Sequence, residues 1–238
     1  MRAERQTNCT GPGVRSLLVV FLTCYGCAAQ SIAVGVIGGG RLTDDVSLFP
    51  SPEANVAGAE AAFKLESRFY DVGPMIEIGI THGFAVEFDA LYHRQGFFSA
   101  FYHDTVYYTS RERDNSWELP LLLKYKLQFP VLHPFAEAGV APRTISGRVV
   151  STGQTDLFGL GPPSPFGPSV PLSYSPSVGF VAGGGLQFNL GRLRLAPQVR
   201  YTRWATAPVG GLYFSLGSTY SSNQNQIEVL VGISWKVK

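Results

Sequence analysis

Cysteine is all but missing from this chain: the 238 residues hold 3, at Cys9, Cys24 and Cys27. A disulfide framework or a thiolate metal centre is therefore excluded from everything after residue 27. Charged residues are scarce too, 15% of the total, and they form no one-signed block that would attract nucleic acid. Beyond residue 30 no apolar run reaches the ~18 residues that mark a spanning helix. The glycines of VIGGG near Val36 lack both the GxGxxG spacing and the βαβ setting of a nucleotide site. The 4 histidines are dispersed, so neither a metal site nor a cofactor is implied. What the sequence has in quantity is glycine, with 27, and aromatic side chains, at 13%. Both sit in short alternating segments that read as one all-β unit.

The opening differs from the rest. Arg2, Arg5 and Arg15 against Glu4 are followed by the apolar run SLLVVFLTCYGCAA, which has the length of a signal-peptide core and is short for a membrane helix. Cys27 and Ala29 supply small residues at the positions a signal peptidase reads. Residues 1–29 are thus expected to be removed as a secretion signal. Residues 30–238 remain as a single domain with 16 basic and 16 acidic side chains.

Within that domain, period-2 alternation recurs in segments of about ten residues, the length of a tilted membrane strand. Eight can be counted, at about 32–40, 70–80, 84–93, 117–129, 134–146, 178–190, 193–201 and 227–237. The clearest puts Trp117, Leu119, Leu121, Leu123, Tyr125, Leu127 and Phe129 on one face and Glu118, Pro120, Leu122, Lys124, Lys126 and Gln128 on the other. Short connections at 81–83, 130–133 and 189–191 alternate with long ones at about 41–69, 95–116, 147–177 and 205–226. The fold expected is all-β, an eight-stranded antiparallel up-and-down transmembrane β-barrel with four long outer loops and three short periplasmic turns.

Alternation does not say which face meets lipid; volume does. The interior of an eight-stranded barrel is just wide enough to be filled by side chains, and the apolar face is too bulky for it. The polar face carries Gly35, Gly73, Gly79, Gly139, Gly179, Gly183, Gly185 and Gly232 beside its charges. A lumen network is expected from Asp71, Glu77, Glu87, Asp89, His93, Glu118, Lys124, Glu137, Arg143, Arg200 and Glu228, with Lys126, Arg192, Arg194 and Lys236 on the same face. Enclosed charges are tolerated when partnered, so ion pairs are expected to fill the lumen. Tyr92, Trp117 and Tyr201 fall toward the long loops and Phe84, Phe129, Phe188 and Trp235 toward the turns, as interfacial girdles do. Pro120, Pro142 and Pro197 lie inside segments of a sheet with no edge, where each deletes a ladder hydrogen bond.

Three stretches, ELPLLLKYKL from Glu118, PFAEAGVAP from Pro134 and VLVGISW ending at Trp235, resemble the small OmpA/OmpX-like outer-membrane β-barrel domain proteins of Gram-negative bacteria. With the strand order, the resemblance covers essentially all of residues 30–238. It implies assembly by the outer-membrane insertion machinery and a role in adhesion or envelope integrity. The partners expected are outer-membrane lipid and lipopolysaccharide and an extracellular partner at the loops, for a monomer that binds no nucleic acid.

Few residues suggest chemistry. His93, on the lumen face near the outer rim, has Asp89 below it and Ser99 beyond. It reads either as a lumen histidine paired with Asp89 or as part of a Ser, His and acid set like that of a lipid hydrolase. His82 and His133 read as solvated turn residues, and His103 and Asp104, beside Tyr102, Tyr107 and Tyr108, as a surface aromatic patch. Arg111 and Arg113 of RERD read as a solvated loop face or as contacts to lipopolysaccharide phosphates. The proline-rich third loop, with Phe158, Leu160, Phe166, Val170 and Tyr174, is a recognition loop or a spacer, and GAEAAFKLES in the first suits a short helix. The reading that absorbs most of this is a non-enzymatic integral outer-membrane barrel, structural or adhesive, presenting surface loops on an ion-paired lumen. A rim hydrolase using His93, a small channel, and a soluble lipocalin-like carrier with its apolar face inward are the alternatives.

Overall fold

The computed structural model describes residues 31–49, 59–81, 83–103, 106–129, 132–155, 164–165, 168–207, 210–213 and 218–237. The leader expected at 1–29 lies outside them, as do His82, Asp104, Phe158, Leu160 and Phe166. In chain order the strands are β1 (Ser31–Arg41), β2 (Val46–Phe49), β3 (Ala59–Leu65), β4 (Tyr70–Thr81), β5 (Phe84–Asp89), β6 (Leu91–His103), β7 (Val106–Glu118), β8 (Leu121–Lys126), β9 (Leu132–Thr155), β10 (Ser164–Pro165), β11 (Val170–Ser173), β12 (Ser177–Leu190), β13 (Leu193–Trp204), β14 (Gly210–Tyr213), β15 (Ser218–Ser222) and β16 (Asn225–Lys236). The antiparallel pairings return on themselves: β1 meets β4, β4 meets β5, then β8, β9, β12, β13 and β16 follow, and β16 meets β1. A closed ring has no edge, so its backbone polar groups are satisfied within the protein.

Each stave keeps the two faces its sequence alternates. Outward stand Val36, Ile76, Phe88, Leu123, Phe180, Val199 and Val231, all exposed; inward, Glu87 and Asp89 are 0% exposed and Lys124 1%. That is the reverse of a water-soluble barrel, and the lipocalin-like alternative, which needed the apolar face inside, is corrected accordingly. The hairpins beneath are tight, with Gly83 at φ 92° and Gly191 at φ 68°, a backbone region that glycine enters without steric cost.

Above the ring the described residues of the expected loops are largely sheet. Residues 95–116 are the upper part of the β6/β7 hairpin, which pairs from Leu91 and Glu118 up to His103 and Val106. β9 climbs beside β7 as far as Thr155, β11 folds back on β9, and β2, β14 and β15 form a separate small sheet. Arg111 and Arg113 therefore lie on a strand and not on a loop. The segment read as a short helix is extended too: Ala59–Leu65 forms β3 and pairs with β6. An open strand edge offers a full row of hydrogen bonds, whereas an isolated helix of ten residues is marginal in water.

The in-strand prolines sit where the ladder lapses. Ala90 N donates to Pro74 O at 3.1 Å and Leu119 N to Pro142 O at 2.9 Å, so Pro74, Ala90, Leu119 and Pro142 form one row across neighbouring staves. β5 gives way to β6, and β7 to β8, along that row, with Pro120 in the second gap. Beside Pro197, pairing of β13 with β12 skips from Gln198 to Leu195, while pairing with β16 continues unbroken.

Candidate functional site

Glycine lets the staves close around so many charged side chains. At Gly35, Gly73 and Gly139 an added Cβ would lie 2.0, 1.8 and 2.0 Å from a neighbouring strand's carbonyl oxygen, so no other residue fits the inward face there. The charges then stand in tiers. Nearest the turns, Glu77 receives Lys126 Nζ at 2.5 Å and Arg194 Nη1 at 2.8 Å. Above it the Arg200 guanidinium fans out to three carboxylates, Nε to Glu137, Nη1 to Asp89 and Nη2 to Glu87, each at 2.7 Å. Lys124 adds contacts to Glu87 at 2.5 Å and Glu137 at 3.3 Å.

An apolar layer separates this tier from the next, with Ile37, Met75, Leu91 and Leu230 on one side and Leu122, Ala141, Val181 and Trp204 on the other. The upper tier centres on Arg41, which reaches Asp45 at 2.8 Å, Asp71 at 2.9 Å, Glu118 at 2.7 Å and Glu228 at 3.5 Å. Gln226 donates to Glu228 at 2.6 Å and to Glu118 at 3.3 Å, and the Trp204 indole N–H donates to Gln226 at 2.9 Å. Arg143 lays its guanidinium 3.8 Å from the centre of the Trp204 ring and donates to Ser177 at 3.2 Å.

All eleven residues expected in the lumen network point inward and are buried. Their partners differ in one respect from the sequence reading: His93 does not pair with Asp89. The two are four residues apart on one stave, about 13 Å at strand rise, and Leu91 lies between them. His93 Nε2 instead sits 2.8 Å from Asp45 and Nδ1 3.1 Å from Asp71, the residue directly across the ladder. Asp89 goes to Arg200. Arg41 and Asp45, the centre of the upper tier, escaped the sequence reading because both fall at the start of a long connection. The available signal was that Arg41 continues the inward alternation of Ala33, Gly35, Ile37 and Gly39. Arg192 and Lys236, placed on the lumen face by sequence, are exposed at the turn end.

A hydrolytic set is not assembled around His93. Ser99 is six residues up the stave, about 20 Å away. Ser116 is opposite His93 in register, and its buried hydroxyl has no hydrogen bond among the described residues. Both imidazole nitrogens are nonetheless engaged by carboxylates, leaving no base for that hydroxyl.

Over the ring, the two faces of the outer sheet diverge. Inward, Glu112 and Asp114 are buried; the Tyr174 hydroxyl donates to Glu112, and Asp114 Oδ1 has no hydrogen-bond partner among the described residues. Burial, and then the adjacent Glu112 carboxylate, push Asp114 up to about 8. Outward, Arg94, Arg111, Arg113 and Arg148 are exposed.

A closed antiparallel ring with an apolar belt facing out between aromatic rims, and with ion-paired charge inside, defines an outer-membrane-type β-barrel. No family model and no curated protein matches the chain. Among solved structures it is similar to the outer membrane protein OprG from Pseudomonas aeruginosa, at 13% identity over 87% of this chain and 94% of that one with a TM-score of 0.48. It is also similar to the N-terminal β-barrel domain of Pseudomonas aeruginosa OprF, at 12% identity over 87% and 97% with a TM-score of 0.41, and to Neisserial surface protein A, at 11% over 85% and 96% with a TM-score of 0.36. These likenesses assign no activity.

Proposed function

We propose that this chain is a non-enzymatic integral barrel of the outer membrane, structural or adhesive in role, inserted as a monomer by the outer-membrane insertion machinery. Its ion-paired lumen serves as a rigid base, and the sheet above presents surfaces to an extracellular partner. The observation that carries the reading is the Arg200 fan: one guanidinium, 1% exposed, bonded to three carboxylates in the middle of the ring. Charges that interlock in this way favour a scaffold over a conduit, because a permeant ion would have to break a buried network whose rupture costs several kcal/mol. The engagement of His93 by Asp45 and Asp71 favours a scaffold over a rim hydrolase.

Planar-bilayer recording of the purified protein tests the proposal. No sustained conductance is expected. A steady open state would assign the channel reading instead, and release of fatty acid from outer-membrane lipid by the same preparation would assign the hydrolase.

A further inference from the structure

Register on the outer sheet produces an arrangement that the barrel itself does not need. Arg113 on β7 stands directly opposite Arg148 on β9, and both side chains are exposed on the outward face. Like charges in that relation lie about 5 Å apart at Cβ and destabilise the pair. No carboxylate among the described residues pairs with either. One row nearer the ring, Arg94 is exposed on the same face, and Arg68 N donates to Arg94 O at 2.9 Å, which brings a further cation alongside.

Gly96 lies across from Arg113 on the other flank. It lacks a side chain and floors an open groove of about 500 Å³ whose walls include Lys64, Arg68, Arg94 and Arg113. A second groove of about 380 Å³ opens on the far side of Arg113, between Phe98, Arg148 and Val150. The acid in the first groove, Glu66, is held at 3.1 Å by Arg111, whose guanidinium also lies 5.2 Å from the centre of the Phe98 ring. The remaining arginines carry a positive charge that no carboxylate among the described residues matches.

We infer that this face binds the phosphate groups of an outer-leaflet glycolipid between Arg113 and Arg148, with Arg94 and Arg68 completing the site; the inference rests on the barrel reading above. The sequence pointed to Arg111 and Arg113 for such contacts. The structure commits Arg111 to Glu66 and supplies Arg148 in its place. Height favours a lipid. Arg94 is two residues beyond the rim residue Tyr92 and Arg113 four from the rim residue Trp117, about 7 and 13 Å along the strands, where headgroups begin. Two guanidinium forks facing one anion match phosphate in a bidentate manner. Phe98 and Val150 add apolar surface that an amphiphile can cover and a soluble polyanion has no use for.

The test uses the full chain refolded in detergent, together with R113A/R148A and the charge-retaining R113K/R148K. Each is first run unheated and boiled on a gel, then titrated with lipopolysaccharide, with the same lipopolysaccharide stripped of its lipid phosphates, and with dextran sulfate. Removing either the arginines or the phosphates is expected to weaken binding by about tenfold or more, and R113K/R148K to recover part of it. Equal binding by R113A/R148A, or by the dephosphorylated lipid, overturns the inference, and tighter binding of dextran sulfate reassigns the face to soluble polyanions. A wild-type chain with no heat-dependent band shift overturns the barrel reading itself, whereas a heat-modifiable barrel indifferent to phosphate overturns the lipid site alone.

Discussion

Arg200 uses three different nitrogens for three carboxylates, a span the point charge of a lysine cannot reproduce. Replacing it with methionine fills the volume but leaves Glu87, Asp89 and Glu137 buried and facing one another with Lys124 alone to balance them. Arg200→Met is expected to cost about 3–5 kcal/mol, read as a fall in the urea midpoint of the heat-modifiable band, with Arg200→Lys in between. Asp114 gives the opposite kind of prediction. Its folded value of about 8 lies above the ordinary 3.8, so the folded hairpin retains a proton that the unfolded chain releases. The stability this confers is full below about pH 4 and is lost as pH rises toward about 8. Backbone amide exchange in residues 95–116 is expected to accelerate over that window beyond its intrinsic base catalysis, and Asp114→Asn to flatten the dependence. The inward direction of both residues was open to different degrees in the sequence. Arg200 lies in a lipid-facing stave whose alternation is plain, and the direction of a side chain in a strand follows from backbone geometry alone. Its partners were not legible, because they come from other staves. His93 makes the same point: Asp89 is its neighbour in sequence, yet Asp71 is the one across the ladder.

At the level of elements, the sequence marks the part of each strand that touches lipid and falls silent above it. Along β7 from Thr109 to Ser116 both faces are polar, with Ser110, Glu112 and Asp114 inside and Thr109, Arg111 and Arg113 outside, while on β6 the consecutive Phe97 and Phe98 put an apolar ring on each face. Hydrophobic periodicity, the main signal for a strand, therefore vanishes while the strand continues. The same holds for β9 beyond Ser146 and for β3, which exists because β6 offers it an edge. This division predicts that the hairpin can be shortened without harm to the ring. Replacing residues 97–112 by Asn-Gly joins Gly96 to Arg113, a register pair, by a two-residue turn of the type hairpins favour. The ring pairings all lie below that point, and the residues removed pair only with one another, with β3 and with the upper part of β9. The band shift is therefore expected to persist, with a urea midpoint close to that of the full chain. A collapse of the barrel would mean that the upper sheet, not the ion-paired ring, holds the staves together.

For the whole molecule the governing quantity is the width of the apolar belt. On β16 and the residue that follows it the outward apolar residues run from Ile227 through Val229, Val231, Ile233 and Trp235 to Val237, ten residue steps or about 34 Å of strand, which at a tilt near 40° is about 26 Å of height. That matches the ~25 Å apolar band of outer-membrane barrels. Val231, near the middle of the run, is 39% exposed in the isolated chain, so a charge placed there has no protein partner to turn to and must meet hydrocarbon. Val231→Arg is expected to cost about 2–4 kcal/mol, and Asn225→Arg, at the rim, about 0–1 kcal/mol. Urea titration in lipid vesicles, followed by tryptophan fluorescence, measures both. A chain whose belt was covered by water or by other protein would show no such dependence on height, since an exposed arginine is tolerated equally at either position in water. The difference between the two variants therefore reports on the solvent around the barrel, while the lumen tiers, which neither substitution touches, stay as they are.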